Sequence, residues 1–138
     1  MKVKLLNQCS KLPTIAYQDD AGFDVYSPIN VSFEPGEIKQ VKLGIAIELV
    51  KDEVAMMSER SGQAINFGLT SIGNIIDAGY RGEISIILIN LGHRYYEIKV
   101  GDKIGQIIVC KLGNREIVEV DKLSESSRDT KAHYSSGT

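Results

Sequence analysis

The strongest pattern along the chain is alternation. Val41, Leu43, Ile45, Ile47 and Leu49 are separated by Lys42, Gly44, Ala46 and Glu48, and this period of two predicts one half-buried strand. Residues 3–6 and 29–33 offer shorter strands. Residues 84–89 are almost entirely apolar, as expected of a strand covered on both faces. Residues 104–110 form another candidate, with a further short one at 117–120. Clusters rich in Gly, Pro and Asp at 34–37, 50–53, 91–93 and 100–102 read as turns between them. Many short strands with such punctuation predict an all-β chain, a sandwich or a barrel. Helix is scarce; its one plausible site begins at Ser61, a suitable N-cap, and runs to Ile65.

The pattern changes after Leu123. Residues 124–138 are polar and rich in small side chains, with no apolar period, and read as a mobile arm. The expected organisation is one domain over 1–138, with a core at 1–123 and the arm at 124–138. A length of 138 residues suits one domain, and by surface scaling roughly two-thirds of its surface is buried on folding.

Charge removes several function classes. Lys and Arg total 16 against 18 Asp and Glu, so the basic excess of a nonspecific nucleic-acid binder is missing. No apolar run approaches the roughly 20 residues of a membrane span, and the first apolar stretch is too short for a signal peptide. Two distant cysteines, Cys9 and Cys110, exclude a disulfide framework and a cysteine zinc site, and suit the reducing cytoplasm.

Five segments do not read as simple strands. Asp24 sits among apolar neighbours in 21–26, where an acid is costly unless paired or near a metal. Arg60, Ser61 and Gly62 combine phosphate donors with close backbone approach at a helix start. Residues 73–82 hold one acid, Asp77, and one aromatic, Tyr80, in a turn-rich stretch; an acid there suits a general base. Residues 101–106 run from a Gly-Asp turn to Gln106, a polar side chain opening an apolar run. The last segment is the tail, with Arg128 followed by Ser and Gly. Each alone has an ordinary explanation: an edge-strand acid, a capped helix, a hairpin turn, a polar end.

Together, in this order and spacing, the five resemble the five motifs of the homotrimeric deoxyuridine triphosphatases (dUTPases), from Ala21 to Gly137. Residues 76–82, Ile-Asp-Ala-Gly-Tyr-Arg-Gly, match the third motif very closely. The resemblance implies a jelly-roll-like β-barrel that hydrolyses dUTP to dUMP and pyrophosphate with Mg2+. That reaction limits uracil in DNA and supplies dUMP for dTMP synthesis. It also implies three chains sharing three sites in the cytoplasm, or in the host cytoplasm for a virus, with no nucleic-acid or membrane partner.

Residue roles follow from the same resemblance. Asp77 orients and deprotonates the water that attacks the α-phosphorus. Tyr80 packs under the deoxyribose and excludes a 2′-hydroxyl. Gly73, Asn74, Ile75 and Ile76, with Ser85 on the next strand, form the uracil and sugar pocket. Arg60, Ser61, Gly62, Gln106, Arg128, Ser135 and Ser136 contact phosphate, and Asp24 reaches the metal through water. Either His133 or Tyr134 supplies an aromatic for the base. Two departures stand out: Glu59 replaces a usual proline, where a carboxylate would repel phosphate unless it turns away or pairs, and Gly105 replaces alanine, with little effect expected. The related dCTP deaminases carry a catalytic glutamate where this chain has Ile87, which cannot transfer protons. A nucleotide-responsive binding protein on the same scaffold is the alternative from another class.

Overall fold

The structure, a computed structural model, describes residues 1–126. Eleven strands and one helix follow in the order β1 (Lys2–Leu5), β2 (Phe23–Tyr26), β3 (Val31–Phe33), β4 (Ile38–Lys42), β5 (Ile45–Glu48), β6 (Glu53–Ser58), α1 (Ser61–Phe67), β7 (Leu69–Ile72), β8 (Ile75–Asp77), β9 (Ser85–Asn90), β10 (Tyr96–Ile98) and β11 (Lys103–Lys111). All seven strand pairs among the described residues are antiparallel. They build sheets in the order β2-β11-β6-β8, β4-β9-β7, β1-β5 and β10-β3. The all-β, jelly-roll-like expectation holds. No helix of the described residues is long and apolar enough to cross a membrane.

The alternating run at 41–49 is two strands, not one. Its five apolar members are all buried, as the period predicts. Yet β4 pairs with β9 while β5 pairs with β1. The chain turns between them at Gly44, whose φ of +67° suits glycine, and a side chain there would collide with Ser10 Oγ. Glu83 holds the corner by accepting the Gly44 N–H at 3.1 Å. A period of two continues through such a corner because the side chains on both limbs still face one core. That core joins Phe33, Val41, Leu43, Ile45, Leu88 and Ile107, among others, each at most 1% exposed.

Three other expectations need correction. β9 is not covered on both faces: Ile86, Leu88 and Asn90 are buried, while Ser85, Ile87 and Ile89 are half-buried. Its sheet has one face on the core and the other only partly covered within one chain. Residues 117–120 form no strand, and Ile117 is 97% exposed, because no partner strand reaches them. Ser61 is the first helical residue rather than the cap; extended Arg60 stands at the cap position without a side-chain capping bond. Gly105 is closely packed. A Cβ there would lie 2.5 Å from Ile86 Cδ1 and 2.9 Å from the Ser58 carbonyl oxygen.

Candidate active site

The hairpin-like turn between β7 and β8, whose strands pair with β9 and β6 rather than with each other, and the turns after it line a cavity of about 180 Å3. Gly73, Asn74, Ile75, Ile76, Asp77, Tyr80 and Ser85, all expected at the base, sugar and reaction centre, line it. β8 is fixed by β6, with Val54 opposite Asp77 and Met56 opposite Ile75. The Asn74 carbonyl accepts the Met57 N–H at 2.8 Å, closing the hairpin onto β6. After Asp77 the chain turns: the Tyr80 N–H donates to the Asp77 carbonyl at 3.0 Å, and the Tyr80 hydroxyl to the Glu83 carbonyl at 3.2 Å. Arg81 staples the same turn, donating to the Ala78 and Tyr80 carbonyls at 2.6 and 2.9 Å. Asp77 and Tyr80 both line the cavity and are exposed. Ser85 Oγ accepts a hydrogen bond from Gln40 at 2.7 Å.

A second cavity, of about 500 Å3, gathers Asp24, Arg60, Ser61, Gly62 and Gln106. These come from β2, the start of α1 and β11. Gln106 lies opposite Asp24 on one side and opposite Ser58 on the other, so β11 brings the segments together. Its amide donates to the Glu59 carbonyl at 3.3 Å. Asp24 is paired, as burial among apolar neighbours demands: Lys103 Nζ lies 2.7 Å from one carboxylate oxygen and Arg60 Nε 3.5 Å from the other. The bond to Asp24 holds the Lys103 ammonium above its ordinary range. Sequence reasoning missed Lys103, which sits in an ordinary Gly-Asp-Lys turn. The only local signal was its place three residues before Gln106.

The dUTPase family model matches residues 8–137. The chain belongs to the dUTPase family. It is 40% identical over 139 residues to the deoxyuridine 5'-triphosphate nucleotidohydrolase of Clostridium tetani, covering 99% of this chain and 96% of that one. Among solved structures, a mutant of the Staphylococcus bacteriophage 80alpha dUTPase with dUpNHpp superimposes with a TM-score of 0.94. It is 26% identical and covers 99% of this chain and 98% of its own. A mutant dUTPase from phage phi11 of S. aureus, whose structure details the coordination of a structural Mg(II) ion, has the same fold. It reaches a TM-score of 0.84 at 24% identity, over 90% and 98% of the two chains.

Within this dUTPase fold Glu59 does not line the second cavity. Its carboxylate accepts the Ser71 hydroxyl at 2.7 Å, and Ser71 Oγ in turn accepts the Asn74 amide at 3.1 Å. The Ser71 hydroxyl, then backbone N–H groups, hold the Glu59 carboxyl below the usual carboxylate range. Another groove, about 560 Å3 between α1 and residues 92–97, contains none of the expected site residues. Arg128, His133, Tyr134, Ser135 and Ser136 lie outside the described residues.

Proposed function

We propose that this chain hydrolyses dUTP to dUMP and pyrophosphate by attack of water on the α-phosphorus. The observation that carries the reading is the hairpin cavity: one acid, Asp77, and one aromatic, Tyr80, line it beside the backbone of 73–76. Asp77 holds the attacking water and takes its proton. Tyr80 packs against the deoxyribose and excludes ribose. Backbone groups of Gly73, Asn74, Ile75 and Ile76, with Ser85 beside them, read uracil; a fixed donor and acceptor pattern opposes cytosine's reversed one. Arg60, Ser61, Gly62 and Gln106 bind the phosphates, and Arg128, Ser135 and Ser136 complete that set. His133 or Tyr134 adds an aromatic over the base. Positioning and charge neutralisation carry most of such a reaction.

Mg2+ fits this arrangement as a guest of the triphosphate. Among the described residues no cluster of three or more His, Cys, Asp or Glu is placed to hold a metal. Both oxygens of Asp24 already meet cations, which leaves it a role through water. Mg2+ ordinarily keeps several waters and binds through substrate phosphates, so this suffices. When bound it neutralises charge on the phosphate oxygens.

The working unit is a homotrimer whose sites combine pockets from different chains. Val54 faces Asp77 across β6, and Arg60 follows six residues later in an extended chain, so the two lie roughly 20 Å apart. That separation favours sites that pair Asp77 of one copy with Arg60 of another. The exposed apolar side chains of Ile117, Val118, Val120 and Leu123 supply surface for contact between copies. The two free cysteines suit the cytoplasm.

The test is pyrophosphate release from dUTP, dCTP, dTTP and UTP, with Mg2+ and then with EDTA, for the chain and its Asp77→Asn variant. Mg2+-dependent release from dUTP alone, lost in the variant, is expected. No release from any nucleotide by a folded trimer overturns the reading.

A further inference from the structure

The phosphate-side cavity contains a cation that the five-motif reading leaves without a task. We propose that Lys103 is a positioning residue of this pocket: through the shared Asp24 carboxylate it holds Arg60 for the triphosphate. The proposal rests on the dUTP reading above and deepens it.

Geometry makes Asp24 the shared anion. Its Oδ2 takes Lys103 at 2.7 Å and its Oδ1 takes Arg60 at the longer distance of 3.5 Å. Asp24 is the most buried of the three, with 15% of its side chain exposed against 34% and 41%. A carboxylate so placed will take whatever cation is at hand. With Lys103 present, Arg60 holds only the second oxygen. Without it, Arg60 is the cation left on Asp24 among the described residues and is drawn onto it, away from phosphate.

Two further observations agree. The Lys103 backbone is pinned to the other side of the pocket, because Gln63 of α1 donates to the Lys103 carbonyl at 3.1 Å. Lys103 therefore joins β2, through Asp24, to the helix that carries Ser61 and Gly62. Among the described residues, the charged side chains lining the cavity are Arg60, Lys103, Asp20 and Asp24, two of each sign. Removing Lys103 leaves a net negative pocket facing a polyanion.

The test compares dUMP with the longer, non-hydrolysable imidotriphosphate dUpNHpp, on the full-length trimer with Mg2+. For Lys103→Met, affinity for dUpNHpp should fall about tenfold and KM for dUTP rise in step, while dUMP binding and kcat change by less than about threefold, the split expected when binding of the phosphate chain is lost. Lys103→Arg, which keeps the charge and its reach, should recover most of the loss. Equal losses for dUMP and dUpNHpp, or no loss for either, overturn the inference, as does failure of Lys103→Arg to rescue. If Lys103→Met does not form the trimer, Lys103→Gln takes its place: a selective loss for dUpNHpp supports the inference, and an unchanged ratio of the two affinities overturns it. Hydrolysis by the unaltered chain with an unmoved ratio in the variant defeats this inference alone. Absence of hydrolysis by the unaltered chain defeats the functional reading and this inference with it.

Discussion

The two pockets of one chain are made by different means. The hairpin pocket is local: most of it comes from residues 73–80, and backbone hydrogen bonds to Met57 and within the turn give it shape. The phosphate-side pocket is assembled from afar. Its central ion pair joins Asp24 to Lys103 across 79 residues of sequence, and its shape depends on how β11 lies between β2 and β6. On the proposed reading, one pocket receives the neutral base and sugar, with a single acid at its edge. The other is a balance of charges for a polyanion. Damage to the first should therefore abolish chemistry or base choice, whereas damage to the second should weaken binding in proportion to phosphate charge.

The largest effect tests the acid. Asp77→Asn keeps shape and hydrogen bonding but removes the base, so kcat should fall by about 10^2 to 10^4, the range general-base catalysis supplies. Binding of dUMP should hold within a few fold, because the shape of the pocket is unchanged. Loss of dUMP binding together with kcat would mean that Asp77 shapes the pocket, and the contrast between the pockets would fail.

The next effect tests whether the two pockets meet only between copies. An Asp77→Asn chain and an Arg60→Met chain are unfolded together and reassembled, and assayed at dUTP far below the raised KM of the second, where each alone is nearly inactive. In a randomly mixed trimer about one site in four would pair an intact hairpin pocket with an intact phosphate pocket, so about a quarter of the activity should return. A mixture as inactive as its parts would place both pockets of each site in one chain, against the separation along β6.

This contrast also governs what the sequence makes legible. The hairpin pocket could be read almost completely, since its members are neighbours and the motif at 76–82 is dense. That Arg60, Ser61, Gly62, Gln106 and Asp24 lie together was legible from the motifs, but not the pairing that organises them. No local signal tells which cation, Arg60 or Lys103, meets Asp24 more closely. The same limit explains the departures in the fold. Alternation at 41–49 gives each side chain its burial but not the change of sheet at Gly44. Alternation at 117–120 signals an apolar face without saying which chain covers it.

A smaller effect tests the strand that carries half the second pocket. Gly105→Ala forces a methyl group between Ile86 and the Ser58 carbonyl, and overpacking of this kind costs about 1–3 kcal/mol. Denaturant unfolding should show that loss. Gln106 follows directly in β11 and Ser58 lies in β6, so KM for dUTP should rise more than kcat falls. Unchanged stability would mean that β11 shifts freely, and that the second pocket tolerates far more than its charge pairing implies.

The smallest effect concerns Glu59, which lies between the pockets. Its backbone carbonyl holds Gln106 of the phosphate side, and its carboxylate holds Ser71, which holds Asn74 of the hairpin. Folding lowers the Glu59 pKa below its ordinary value near 4.5. The unfolded chain therefore binds the proton more readily, and stability rises with pH through this interval. The contribution is present above the unfolded value and is lost as pH falls through the folded one. Glu59→Gln can still accept the Ser71 hydroxyl but cannot ionise. It should be slightly less stable than the native chain at pH 7, by about 1 kcal/mol or less, as for a single partly exposed hydrogen bond. That difference should shrink toward zero as unfolding curves are taken to pH values below the folded pKa. Because the carboxylate faces Ser71 rather than phosphate, KM for dUTP at pH 7 should move by less than about threefold, the size expected when no phosphate contact is lost. A marked fall in KM would instead mean that the carboxylate repels the triphosphate after all. The hydrogen-bonded orientation toward Ser71 would then not be the one that meets substrate.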